Sequence, residues 1–111
     1  MYIFHITSAA EWSQAQLLGQ YLPVDFAKDG FIHCSKKDQV LATAKRFYSG
    51  KTNLVLLKID TDLLTSPIIE ENLEGGLQKF PHLYGVLPTH AVVAFAPLTM
   101  DQFSNFVFPF E

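Results

Sequence analysis

Asn53-Leu54-Val55-Leu56-Leu57-Lys58-Ile59-Asp60 is the stretch on which the fold turns. Four consecutive apolar residues and then Ile59 leave no polar face, the pattern of a strand covered on both sides. Upstream, Tyr2-Ile3-Phe4-His5-Ile6 is β-branched or aromatic apart from His5 and reads as a strand near the core. Ser8 and Glu11 then have capping-box spacing, which predicts a helix over Ala9–Leu18 that buries Trp12, Ala15 or Gln16, and Leu18, with Gly19 as its stop. Residues 20–29, with Pro23 and two Asp, read as an ordered loop. Phe31-Ile32-His33-Cys34 reads as a short strand. Ser35 stands where an N-cap belongs, before a helix from Lys36 to Tyr48 with Val40, Leu41, Ala44, Phe47 and Tyr48 on one stripe.

Downstream of the central stretch the pattern is mostly strand. Pro67–Glu71 predicts a short strand, and residues 72–79, with Gly75-Gly76, a mobile loop. Phe80-Pro81-His82-Leu83-Tyr84-Gly85 is a compact aromatic segment, Pro88-Thr89-His90 a turn, and Ala91–Leu98 a long strand. Met100–Phe106 predicts a short closing helix. Helices early and strands late, without βαβ alternation, give an α+β domain with a mostly antiparallel or mixed sheet.

The 111 residues make one domain, 1–111, with room for a single core, and 49% hydrophobic content excludes a disordered chain. Net charge is −3, and Arg46 is the sole arginine, so a phosphate-backbone reader is disfavoured and no nucleic-acid partner is expected. Cys34 is the lone cysteine, and no apolar run has the length of a membrane span. The chain reads as a cytoplasmic protein with neither membrane nor disulfide.

The residues that could carry chemistry are two histidines in aromatic settings. His33 ends a strand, and His82 lies between Pro81 and Tyr84. If those strand ends meet on one side of the sheet, both imidazoles, Tyr84 and an acid, Glu71 or Glu70, line a single cleft. Imidazole would bind sugar hydroxyls, Tyr84 would offer a ring face, and the carboxylate would stabilise an oxocarbenium ion. Against this, a histidine at a strand end often bonds a carbonyl, Ser35 is most simply an N-cap, and Glu70 and Glu71 could form a solvated edge. Phe80, Leu83 and Trp12 read as core, and His90 as surface. His33, Cys34 and His82 are ligand types zinc accepts, but adjacent strand residues point to opposite faces and no CxxC or HExxH is present, so no metal is expected. The same geometry makes Cys34 an apolar filler rather than a nucleophile. Phe103, Phe106, Phe108 and Phe110 either fold onto the domain's own core or offer a dimer edge.

Gly30-Phe31-Ile32-His33-Cys34-Ser35, Arg46-Phe47-Tyr48, the Leu54–Asp60 run and Phe80–Gly85, in this order and spacing, closely resemble the DUF952 family of small bacterial proteins, a family named for its unknown function. The resemblance implies a fold similar to that of the ADP-ribosyltransferases, a split β-sheet core with two main helices that grips NAD in a cleft. His5-Ile6-Thr7 looks like the H-G-[ST] element of NAD-gripping transferases, with Ile6 in place of the Gly. Ile32-His33-Cys34-Ser35 looks like the V-H-L-S element of RNA 2′-phosphotransferases, whose several arginines are not matched. Carried over, His5 would contact a ribose hydroxyl, His33 would line the nicotinamide side and Glu71 would be the transferase glutamate, while His82 and Tyr84 belong to the family's own signature. Catalytic roles therefore fall on His33, Glu71 and His82, and ligand binding on His5, Thr7, Ser35 and Tyr84. NAD is the candidate substrate and no cofactor is certain. The alternative is a catalytically inactive module that binds a nucleotide or sugar phosphate. A glutathione S-transferase is excluded by chain length and by the lack of a CPxC or CPxS motif.

Overall fold

The computed structural model describes residues 1–73 and 75–110. Glu74, within the loop read over 72–79, and Glu111 lie outside the described residues. The elements run β1 (Tyr2–Ser8), α1 (Ala9–Leu18), β2 (Gln20–Tyr21), α2 (Phe26–Asp29), β3 (Ile32–His33), α3 (Val40–Tyr48), β4 (Leu54–Asp60), β5 (Ile68–Glu71), β6 (Phe80–Leu83), β7 (Leu87–Pro88), β8 (Val92–Met100) and β9 (Phe106–Val107). Short 3-10 turns sit at Lys37–Gln39, Thr61–Leu63 and Thr89–Ala91.

Among the described residues three antiparallel sheets form, ordered β1-β4-β8-β9, β2-β7 and β3-β6-β5. One antiparallel bridge, Phe4 with Ser35, joins the free edge of β1 to the chain just after β3, with both backbone bonds at 2.8 Å. The first and third sheets thus follow one another as a curled antiparallel surface with few helices, split where β1 and β3 meet through that backbone bridge and a bond from the His5 ring to the His33 carbonyl. This is the α+β class expected from the sequence.

β4 is at the centre, paired with β1 and β8. Its side chains alternate between two cores, as period-two geometry requires. Val55, Leu57 and Ile59 join Ile3, Trp12, Ile32, Cys34 and Leu83 on one face. Leu54 and Leu56 join Phe4, Ile6, Val40, Ala44 and Leu98 on the other, where Phe106, Phe108 and Phe110 also pack. The uninterrupted apolar run of β4 has its cause here, and most of the phenylalanine tail folds onto the chain itself, with Phe103 left exposed.

Several local expectations are corrected. Helix α1 buries Trp12 and Ala15, but Leu18 is 66% exposed and Gln16 is exposed too. Ser8 caps α1 as predicted, its Oγ accepting from the Glu11 N–H at 3.1 Å. The Glu11 carboxylate does not close the box; it accepts from the Thr7 hydroxyl at 2.9 Å. Ser35 is not an N-cap, because its backbone is used in the bridge to Phe4, and its hydroxyl donates to Thr43 at 3.3 Å. The cap function passes to Lys36 and Gln39, whose Oε1 accepts from the Lys36 N–H at 2.9 Å. On α3, Val40 and Ala44 are buried, while Leu41 and Phe47 are exposed. The closing helix over Met100–Phe106 does not form. Asp101 Oδ1 accepts from the N–H groups of Phe103 and Asn105, Ser104 takes φ 64°, and this side-chain turn reverses the chain into β9. Residues 20–29 are not a plain loop, since β2 and the one-turn α2 lie within them. Among the described residues no helix is long and apolar enough to cross a membrane.

Candidate functional site

Strand register assembles the first group of polar side chains. In the β3–β6 pair His33 stands directly opposite His82, so their side chains share a face. In the β5–β6 pair Glu71 faces Phe80, which puts its carboxylate diagonally beside His82. His33 Nδ1 lies 3.2 Å from His82 Nε2, and His82 Nδ1 lies 3.0 Å from Glu71 Oε1. The Tyr84 hydroxyl donates to the same Glu71 oxygen. Phe31 stacks on the His82 ring, centroids 4.0 Å apart, and Phe80 packs against His33.

The hydrogens along this row follow from what each group can do. A carboxylate only accepts, so His82 Nδ1 carries a hydrogen; a neutral His82 then accepts at Nε2, and His33 donates from Nδ1. In that form of His82 the lone pair of the His33 ring is on Nε2, an atom buried in the structure. Hydrogen bonds from Tyr84 and His82 hold the Glu71 carboxyl below the usual carboxylate range, and in return Glu71 raises the Tyr84 hydroxyl above its usual value. Glu70, one residue earlier and on the opposite face of β5, forms an exposed ion pair with Lys36 at 3.2 Å. Of the two acids left open by the sequence, Glu71 is the one in the row.

A second row starts at β1. His5 Nδ1 donates to the His33 carbonyl at 2.7 Å, and His5 Nε2 is 2.9 Å from the Tyr21 hydroxyl. Tyr21 and Thr7 oxygens are 3.0 Å apart, and Thr7 reaches Glu11. Burial pushes the His5 imidazole down to about 4 and pushes the Tyr21 hydroxyl up. His5 is therefore neutral at neutral pH, with its hydrogen on Nδ1.

Both rows border one cleft with two lobes. The smaller, of about 340 Å³, is lined by His5, His33, Ser35, Thr43 and Tyr48 among others. The larger, of about 620 Å³, is lined by His5, Thr7, Glu11, Tyr21, His33 and further residues. His5, Ile6, His33, Tyr48 and Lys51 belong to both, so the lobes meet at the split between β1 and β3. A pocket of this combined size suits a small molecule.

Of the residues singled out in the sequence, His5, Thr7, His33 and Ser35 therefore line the cleft. His82, Glu71 and Tyr84 are not among its described lining residues, and they connect to it through His33. Cys34 points into the core, fully buried, and its thiol is pushed up to about 12 by burial, so it is no nucleophile. Sequence reasoning missed Tyr21, Thr43 and Lys51, and saw Glu11 only as a cap. Tyr21 was hidden in an apparent loop. The Glu11 capping spacing was a real signal, but the fold uses the backbone N–H and turns the carboxylate to Thr7. Among the described residues no cluster of three or more metal-ligating side chains is present.

Comparison with known proteins agrees with this architecture. The chain is similar to protein CC0527 from Caulobacter crescentus: against its crystal structure, identity is 34% over 96% of this chain and 94% of that one, with a TM-score of 0.85. Against the solution NMR structure of CC0527, identity is 35% over 94% and 90% of the two chains, with a TM-score of 0.81. No curated protein matches. The model of a family described as "Protein of unknown function (DUF952)" matches residues 6–95, which include the end of β1, β3, β4 and the His82–Tyr84 segment, and the chain belongs to that family.

Proposed function

We propose that the cleft between β1 and β3 takes the ribose end of a nucleotide such as NAD, and that the chain is an ADP-ribosyltransferase-like enzyme acting at the glycosidic carbon. The observation that carries this reading is the row His33–His82–Glu71–Tyr84, which ends in the cleft at an imidazole. The split of the sheet beside that imidazole, and His5 and Thr7 lining the same cleft, support the analogy with NAD-gripping folds, which is an analogy of architecture. In hydrolysis the C1′–N bond of NAD breaks, its electron pair leaves with nicotinamide, and a water oxygen bonds to C1′. The water's proton passes to His33 Nε2, an atom buried in this structure that ligand binding must uncover, the His33 Nδ1 hydrogen passes to His82 Nε2, and the resulting imidazolium rests against the Glu71 carboxylate. In transfer, an acceptor hydroxyl takes the place of the water. Glu71 in this scheme is a positioning and charge-balancing residue behind two imidazoles, with no direct contact to the sugar.

The test is nicotinamide release from NAD by the purified protein, compared with His33→Ala and Glu71→Gln. Removal of a general base lowers turnover by about 10²- to 10⁴-fold, and His33→Ala is expected in that range. Turnover equal to wild type in His33→Ala would sink the scheme. The second reading is a binding module without turnover. It is favoured by Ile6, a branched residue where NAD-gripping transferases have Gly, and by the placement of Glu71 behind the cleft. It predicts a thermal shift with ADP-ribose, lost in His33→Ala, and no release of nicotinamide.

A further inference from the structure

The second row, from His33 to Glu11, has fewer hydrogens than contacts. Its four contacts, from the His33 carbonyl through His5, Tyr21 and Thr7 to Glu11, all have hydrogen-bond lengths, 2.7, 2.9, 3.0 and 2.9 Å. The carbonyl only accepts, so one hydrogen is fixed on His5 Nδ1. His5 is neutral, so its Nε2 accepts. Tyr21 and Thr7 bring one hydroxyl hydrogen each, and the Glu11 carboxylate brings none. Three hydrogens serve four contacts.

The deficit falls at one of three places. If Tyr21 donates to Thr7, and Thr7 to Glu11, His5 Nε2 faces an oxygen lone pair. If Tyr21 donates to His5, and Thr7 to Glu11, two hydroxyl oxygens face each other. If Tyr21 donates to His5, and Thr7 to Tyr21, the buried part of the row is complete and the deficit lies at Glu11. His5, Thr7 and Tyr21 are 8%, 3% and 3% exposed, so a lost bond costs most among them. Glu11 is half-buried and lines the 620 Å³ lobe, where another donor can reach it.

We propose that Glu11 is the ligand-binding carboxylate of the cleft, taking a hydrogen from a sugar hydroxyl of the ligand and so completing a hydrogen-bond row that is one hydrogen short. The ligand's donor replaces Thr7 at Glu11, and Thr7 turns to Tyr21. Binding is thereby linked to the order of a buried network, and a ligand without a donor at that position leaves the deficit in place. The identification of the ligand as a nucleotide ribose rests on the function proposed above.

The decisive variant is Glu11→Gln. Its carboxamide N–H supplies the missing hydrogen from within the chain, so Thr7 donates to Tyr21, Tyr21 to His5, and no external donor is called for. Removing the charge also weakens the first turn of α1, so the effect is read as a cycle: Glu11→Gln in wild type against Glu11→Gln in Thr7→Val. The expected result is a more favourable change in melting temperature in wild type than in the Thr7→Val background. Binding of ADP-ribose, followed by thermal shift and titration calorimetry, is expected to weaken by roughly ten- to a hundredfold in Glu11→Gln, the range of one hydrogen bond to a charged group. An equal or less favourable change in the wild-type background overturns the donor count, and unchanged ADP-ribose affinity in Glu11→Gln overturns the role of Glu11. If ADP-ribose fails to bind wild type while D-ribose binds and loses affinity in Glu11→Gln, the nucleotide reading falls and this one stands. If neither binds, both fall.

Discussion

Gly85→Ala tests how the chain positions the end of the first row. Gly85 directly follows Tyr84, whose N–H donates to the Pro67 carbonyl at 2.9 Å and whose hydroxyl meets Glu71. A Cβ added at position 85 would lie 2.0 Å from Ser66 Oγ and 2.4 Å from Ser66 Cβ, far inside contact distance. Rotation of the hydroxyl removes the first clash but not the second, because Ser66 Cβ moves only with its backbone. The backbone at 66–67 and 84–85 must separate, and the Tyr84–Pro67 bond lies between them. Overpacking of this kind costs about 1–3 kcal/mol. Loss of the Tyr84–Pro67 bond adds about 1 kcal/mol. For a domain of this length each kcal/mol moves the midpoint by about 4 °C, so Gly85→Ala is expected to melt about 8–16 °C lower. The assay is thermal and urea denaturation of Gly85→Ala, Ser66→Gly and the double variant. Ser66→Gly removes both clashing atoms, so the double variant is expected to show most of the Gly85→Ala loss cancelled, a coupling well above the ~0.5 kcal/mol of independent sites. A Gly85→Ala protein as stable as wild type, or a loss that Ser66→Gly does not relieve, would refute the reasoning. The same contact accounts for the glycine that ends Phe80-Pro81-His82-Leu83-Tyr84-Gly85: the position abuts Ser66, and the side chain before it buttresses Glu71.

Two further outcomes follow from buried groups. His5 has its imidazole lowered from 6.5 to about 4, so between those values the unfolded chain holds a proton that the native chain lacks. Stability therefore falls as pH drops through that window, by about 3 kcal/mol once it is crossed, and nothing is lost above it. Denaturation at pH 7, 5.5 and 4 should show this slope in wild type and not in His5→Gln; equal slopes would rule out the assignment to His5. Cys34 is fully buried with its thiol pushed up to about 12, so a thiol reagent at pH 8 is expected to react only as fast as the protein opens, and the labelling rate should rise with urea in step with global unfolding. Rapid labelling without urea would place Cys34 outside the core.

The apolar run Leu54–Ile59, the capped helix after Ser8, the stop at Gly19 and the α+β class are legible in the sequence alone, because each rests on local chemistry or on the two-residue period of a strand. The Ser35 and Met100–Phe106 readings failed for one reason. Local propensity suited a cap and a helix, but Ser35 is committed to pairing with Phe4, and Asp101 turns the chain back to pair with β8. The candidate site divides along the same line. His33, His82, Glu71 and Tyr84 stand out as residue types near strand ends, and only the pairing of β3 with β6 and of β6 with β5 orders them into a row. His33 and His82 are 49 positions apart, and nothing local in either segment encodes their 3.2 Å contact. Tyr21 and Glu11 carried even less signal, because their role depends on which donors and acceptors the fold leaves facing each other. Local sequence determined the elements and the inventory of reactive groups. Tertiary structure alone decided the register, and with it which of those groups share a hydrogen and which open onto the cleft.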